Sequence, residues 1–197
     1  MKQLLRKYAP RLYKRLCAIK DYLIPPQRFG NAYDGEPPYD KPEPSMWDIA
    51  QLIPSHVDTM LDVGCASGRN FIPFVGKLKL HGIDIVPRSR IKFVPGLGHV
   101  TYWKMTIEDF TRYLETVGMD LTHTFVHSHS SIGYVNKEWQ TRFYGACMAN
   151  GCRNFHFEEY PMNPASMDNY FKLDERQFTN KQWRKTWKEP HAHYRFE

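Results

Sequence analysis

The stretch TMLDVGCASGRN, Thr59 to Asn70, decides how the rest of the chain is read. A short apolar run leads to Asp62, and Gly64 and Gly68 then bracket a four-residue step with Ala66 between them. Glycine lets a backbone turn sharply and approach a ligand with no Cβ in the way. A dinucleotide-binding GxGxxG turn is the first comparison, but Gly64, Ala66 and Arg69 stand at its three glycine places. The frame acid-x-Gly-x-Ala-x-Gly through Asp62, Gly64, Ala66 and Gly68 fits better.

Outward from this turn, strand and helix patterns alternate. Strands are expected at Thr59–Val63, Leu78–Ile85, Val100–Trp103, Leu121–Val126 and Asn154–Phe157. Between them lie a brief helical segment around Phe71–Val75, a helix over Ile107–Thr116, and one over Lys137–Met148 stopped by Asn150 and Gly151. Glu108 and Asp109 suit the positive end of the second of these. Upstream, Ser45 reads as the N-cap of a helix through Met46, Ile49, Leu52 and Ile53 that stops near Pro54. Past Tyr160, Asp174–Lys188 reads as one helix with Trp183 and Trp187 on a shared face, and His193–Phe196 as a last strand. Such alternation is the signature of a mostly parallel sheet with helices on both faces, whose ligands bind at the carboxyl ends of the strands.

At 197 residues and 42% hydrophobic content, one core is expected. Four cysteines, Cys17, Cys65, Cys147 and Cys152, form no CxxC pair, which argues against a zinc site or a disulfide framework and for a reducing, cytoplasmic setting. No apolar run approaches the roughly 20 residues that cross a bilayer. The N-terminus is basic throughout and has no apolar core with a cleavage site, so a soluble protein, at most peripheral at a membrane surface, is expected.

The net charge of +6 belongs to one segment. Residues 1–20 hold seven basic residues and no acid, which leaves 20 basic against 21 acidic residues elsewhere. Leu4, Leu5, Tyr8, Leu12, Leu16 and Leu23 fall on one face of an amphipathic basic helix ending before Pro25. Residues 1–24 are thus expected as a helical arm, 25–44 as a Pro/Gly-rich linker or loop laid over a site, and 45–197 as the folded domain. The arm either packs on that domain or meets an anionic partner: lipid, an acidic glycan carrier or nucleic acid.

LDVGCASGRN resembles motif I of the class I S-adenosylmethionine-dependent methyltransferases, where alanine at the middle place is a familiar variant. LHGIDIV ends the second strand with Asp84, twenty-two residues after Asp62, where the family places an acid that accepts from the ribose hydroxyls. Ile85 is then expected on the adenine face. WKMTIEDF is similar to the segment after the third strand, with Thr106 and Ile107 where the adenine edge is read, although the usual acid is replaced by Thr106. MDLTHTFVHSHSSIGYV resembles the fourth strand, with Asp120 at its start and His127, Ser128 and His129 at its exit. The resemblance covers about Ser45 to Tyr160. It implies a Rossmann-like sheet of six or seven strands and S-adenosyl-L-methionine as cofactor, leaving S-adenosyl-L-homocysteine as product. It puts Asp62, Gly64, Cys65, Ala66, Gly68, Asp84, Ile85, Thr106, Ile107 and His127 in the cofactor site.

A hydroxyl acceptor needs a base, and histidine suits neutral pH. His129 is the expected base and His127 a catalytic or cofactor-side contact; the plainer alternative makes both of them satisfied hydrogen-bonding residues of the strand-to-helix turn. Glu158 and Glu159, after the fifth strand, and Tyr39 are candidate acceptor contacts, with solvated loop acids as the alternative for the pair. A divalent ion at Glu158 and Glu159 has no supporting ligand set, so no metal is assigned. SHSS stands where amino-methyltransferases of nucleic acid carry a [DNS]PP[YFW] signature, which disfavours that activity. The expected function is O-methylation of a sugar, glycan or other small molecule. The alternatives are an RNA methyltransferase that uses the basic arm and a non-catalytic cofactor-binding partner subunit. Oligomeric state is left open.

Overall fold

The computed structural model describes residues 40–129, 131–158, 183–188 and 191–196, the last two stretches and Glu158 by backbone alone. A short helix α1, Ser45–Leu52, precedes β1, Thr59–Val63. A 3₁₀ segment, Arg69–Phe74, leads to β2, Lys79–Asp84, and β3 is Val100–Lys104. Helix α2, Ile107–Thr116, then β4, Thr124–His129, helix α3, Lys137–Ala149, and β5, Asn154–Glu158, follow in order. Strands β6, Trp183–Lys188, and β7, His191–Phe196, complete a seven-stranded sheet of order β3-β2-β1-β4-β5-β7-β6. The first five strands run parallel and the last two antiparallel to their neighbours. A Rossmann-like, mostly parallel sheet is thus what the chain forms.

Each face has its own core. Leu61, Val63, Val126, Phe155 and Phe157 point to the side covered by α2 and α3, where Phe110, Leu114, Phe143 and Tyr144 complete a buried apolar layer. Met60, Leu80 and Phe125 point to the other side and pack with Met46 and Ile49 of α1 and with Phe71 and Phe74 of the 3₁₀ segment. Period-two alternation in buried parallel strands produces this split.

Several expected elements are corrected. The segment expected as helix at Phe71–Val75 is a 3₁₀ turn beginning at Arg69, because Pro73 inside it has no N–H to give an α-helical ladder. Ser45 is the first helical residue and not the cap; Pro44 holds the cap position, without a side-chain hydrogen bond. The fourth strand begins three residues later than expected. Leu121 donates to the Asn150 carbonyl and Thr122 to the Asp120 carboxylate, which holds residues 121–123 in a turn. His127–His129 therefore belong to the strand itself. At the far end, Trp183–Lys188 is a strand and not the close of a helix. Both closing strands are present, and β6 pairs from Trp183↔Phe196 to Lys188↔His191 across a two-residue connection containing Pro190. The arm of residues 1–24, Tyr39 and Glu159 lie outside the described residues. Among the described residues no helix is long and apolar enough to cross a membrane.

Candidate active site

The carboxyl ends of β1, β2 and β4 meet at the glycine turn. The N–H groups of Gly64 and Cys65 both donate to the Ile83 carbonyl, at 2.7 and 3.1 Å, so the turn is clamped onto the end of β2. Gly64 and Gly68 have φ of +79° and +72°, a region that disfavours side chains. Ala66, at φ +43°, is the one positive-φ residue other than glycine among the described residues. Its N–H donates to Asp84 Oδ2 at 3.0 Å, and this bond holds the unusual conformation in place. Behind the turn, Gly82 of β2 makes room for it, since a Cβ there would lie 2.6 Å from Cys65 Sγ.

Asp84 closes β2 with its second oxygen accepting from the Val86 N–H at 3.1 Å. A carboxylate has about four acceptor positions, so its backbone donors still leave acceptor capacity for a ligand hydroxyl. Burial raises the pKa of Asp84, opposed by the backbone hydrogen bonds from Val86, Ala66 and Ile85. Ile85 beside it is 58% exposed and presents an open apolar face. Thr106 caps α2, accepting from the Asp109 N–H at 3.0 Å, and Ile107 begins the helix partly buried.

Asp62 lies beneath the turn. Its Oδ1 is buried with no hydrogen-bond partner among the described residues and stands 3.9 Å from His127 Nε2. Burial, and next the charge of Asp84, push the Asp62 carboxyl up to about 8, against an opposing pull from Arg69.

The strand register lines Asp62, His127 and His156 up in one row across β1, β4 and β5. His127 Nδ1 is 3.1 Å from His156 Nδ1, and the rings stack at 5.1 Å between centroids. On its other side His127 Nε2 meets Asn70 Nδ2 at 3.3 Å. All four side chains are buried, and His127 is fully so. Its path to any ligand runs through Asn70 or Asp62.

His129, one step nearer the carboxyl edge, retains 11% side-chain exposure. Glu43 Oε1 is 3.6 Å from its Nε2 and also forms an ion pair with Arg69 Nη2. The Glu43 backbone N–H donates to Asn70 Oδ1 at 3.1 Å, which seats the end of the Pro-rich segment on the site. Ser131 lies across the turn: a Cβ at Gly64 would fall 1.9 Å from its Oγ. Glu158 pairs in register with His129 on β5. The structure thus gathers Asp62, Gly64, Cys65, Ala66, Gly68, Asp84, Ile85 and both histidines at one end of the sheet. It adds Glu43 and His156, which no quoted motif contains, and Arg69, Asn70 and Ser131, which lie within the quoted segments but carry no expected role there. The recess of about 490 Å³ lined by Lys79, His81 and His99 opens at the amino ends of β2 and β3 and shares no residue with the turn.

Neither a protein-family model nor a curated relative matches the sequence. Solved structures do match. The magnesium protoporphyrin IX methyltransferase of Synechocystis PCC 6803, solved with S-adenosylmethionine bound, aligns over 93% of this chain and 97% of its own, at 10% identity and a TM-score of 0.58. A protein solved in connection with conversion of a disulfide bond into a thioacetal group during echinomycin biosynthesis aligns over 84% and 88%, at 15% identity and a TM-score of 0.53. The chain has the fold of the class I S-adenosylmethionine-dependent methyltransferases. It also aligns over 64% of its length with the aminopentose methyltransferase CalS10 of Micromonospora echinaspora, at 18% identity and a TM-score of 0.43, spanning 54% of that protein. Within the methyltransferase fold the turn occupies the carboxyl end of the central strands, the place where open α/β sheets bind ligands.

Proposed function

We propose that the chain binds S-adenosylmethionine at the glycine turn and transfers its methyl group to a hydroxyl of a sugar, glycan or other small acceptor. The observation that carries the reading is the joint of Ala66 and Asp84: a buried carboxylate at the end of β2, fixed by the turn's own backbone and with acceptor capacity left over. Asp84 would hold the ribose hydroxyls, Ile85 the adenine face, with Thr106 and Ile107 at its edge, and Gly64, Cys65 and Gly68 the methionine portion. Ser131 now covers Gly64 with a short side chain whose hydroxyl donates to the His129 carbonyl. It fits a site where that hydroxyl turns to an incoming polar group. When bound, the cofactor supplies a methyl group on a positively charged sulfur.

The chain's own part is to position the acceptor, remove its proton and keep water out. His129 serves as general base because it is the partly exposed histidine at the edge of the turn. His127 and Asp62 support the floor beneath it. Trp47, half exposed on α1 one helical turn after Glu43, offers a flat surface suited to a sugar ring, as would Tyr39, and Glu158 with Glu159 would meet acceptor hydroxyls. Residues 1–20 would hold an anionic carrier or surface. Asp84→Ala removes charge-assisted hydrogen bonds worth about 1.5–3 kcal/mol each, so calorimetry with S-adenosylmethionine should show affinity falling at least about tenfold. Unchanged affinity overturns the reading.

A further inference from the structure

We propose that Glu43 is a positioning residue for His129: its carboxylate fixes the imidazole at the edge of β4 and stabilises the positive ring formed when that imidazole takes the acceptor's proton, with Arg69 as the opposing charge. The inference rests on the reading of His129 as the base. The proton passes from the acceptor hydroxyl to the ring, and the carboxylate, which takes none, acts by charge alone.

Glu43 is held at two points of its backbone. Its N–H donates to Asn70, and its carbonyl accepts from the Met46 N–H in the first turn of α1. The carboxylate therefore has a defined place, 3.6 Å from His129 Nε2, an ion-pair distance and not a hydrogen bond. Glu43 and Arg69 side chains are each 17% exposed, so water screens the three charges far less than at an open surface. An opposite charge within about 4–6 Å favours the charged form of an ionisable group, and a like charge disfavours it. Other titratable groups also lie near the ring among the described residues. Glu158 pairs with His129 in register from β5, His127 lies two residues back on β4, and Asp62 lies behind His127. Glu43 and Arg69 are thus the two charges whose removal should act on the ring in opposite directions.

The test follows the ring signals of the labelled full-length chain by NMR across neutral pH, with His129 identified by the signal that His129→Gln removes. Glu43→Gln should move the His129 titration midpoint down, and Arg69→Gln should move it up. A role limited to packing gives no such opposed pair. Any other pattern overturns the proposal, including movement in one direction only or a variant whose spectrum loses its folded dispersion. Calorimetry with S-adenosylmethionine on the wild-type chain separates this from the cofactor reading. Opposed midpoints without cofactor binding keep the Glu43–His129 pair and sink the methyltransferase, and binding without opposed midpoints does the reverse.

Discussion

The two faces of the sheet are built from the same strands and are chemically unlike. On the face under α2 and α3, the buried strand side chains are mainly apolar, with Ser128 the fully buried exception, its hydroxyl accepting from the Ile132 N–H, and Phe143, Tyr144, Phe155 and Phe157 pack with ring centroids 5.3 to 6.4 Å apart. On the opposite face, Asp62, His127 and His156 form a polar row among Met60, Leu80 and Phe125, and among the described residues its cover is one short helix, α1, with 3₁₀ turns and loops. Regular helices need an unbroken apolar stripe to dock on. A face that has to deliver polar groups to the carboxyl edge gives part of that stripe up. One face specifies the fold and the other specifies the site.

The largest expected effect falls on the apolar face. Phe155 is fully buried between β4 and the α3 layer, and Phe155→Ala should cost about 3–5 kcal/mol in urea unfolding, from lost transfer energy and the cavity left behind. A loss below about 1 kcal/mol would mean that this layer is not the well-packed one and would erase the contrast.

On the polar face the loss has another origin. His127→Phe keeps a flat ring beside Phe125 and removes the partner of Asn70 and His156. The orphaned groups should cost about 1–3 kcal/mol. Replacing His156 by Phe in the same chain removes one of those orphans, so the double variant should lose less than the sum of the two singles. Additive losses in a denaturation cycle would show that the row is three separate residues sharing a face.

How much of this contrast was legible beforehand depends on how far each signal reaches along the chain. The turn and Asp84 were legible because an apolar run, two glycines and a strand-end acid each show within a few residues. The helix Ile107–Thr116 was legible in its full span from its pattern and acidic first turn, although its cap, Thr106, was read only as a ligand contact. Strand β4 was misplaced because its start is set by hydrogen bonds to Asn150 and Asp120, which sequence pattern does not register. Trp183 and Trp187 misled for a related reason. A spacing of four is both a helical step and an even number, so it satisfies strand alternation equally well. Glu43 and Asn70 were invisible as a pair because 27 positions separate them, and their contact exists only once α1 is docked. His156 sits between Asn154 and Glu158 in the alternating strand NFHFE, where nothing local singles it out, and the register with β4 sets it beside His127.

The most gradual effect, and the sharpest test of the polar row, is a slope against pH. Asp62 in the folded chain is pushed up to about 8, from an ordinary value of 3.8. Below that ordinary value the carboxyl is protonated whether the chain is folded or not, and its contribution to stability is complete. As pH rises through the window toward about 8, the unfolded chain releases this proton and the folded chain retains it, so stability falls. The loss is bounded by one proton, at most about 1.4 kcal/mol per pH unit. Asp84, also raised by burial, adds a slope of the same sign, which remains in the variant. Asp62→Asn should therefore flatten the dependence of the unfolding midpoint on pH without abolishing it. If wild type and variant give parallel curves, Asp62 is ionised in the folded chain. His127, 3.9 Å away, would then be its counter-ion, and the row would hold an ion pair.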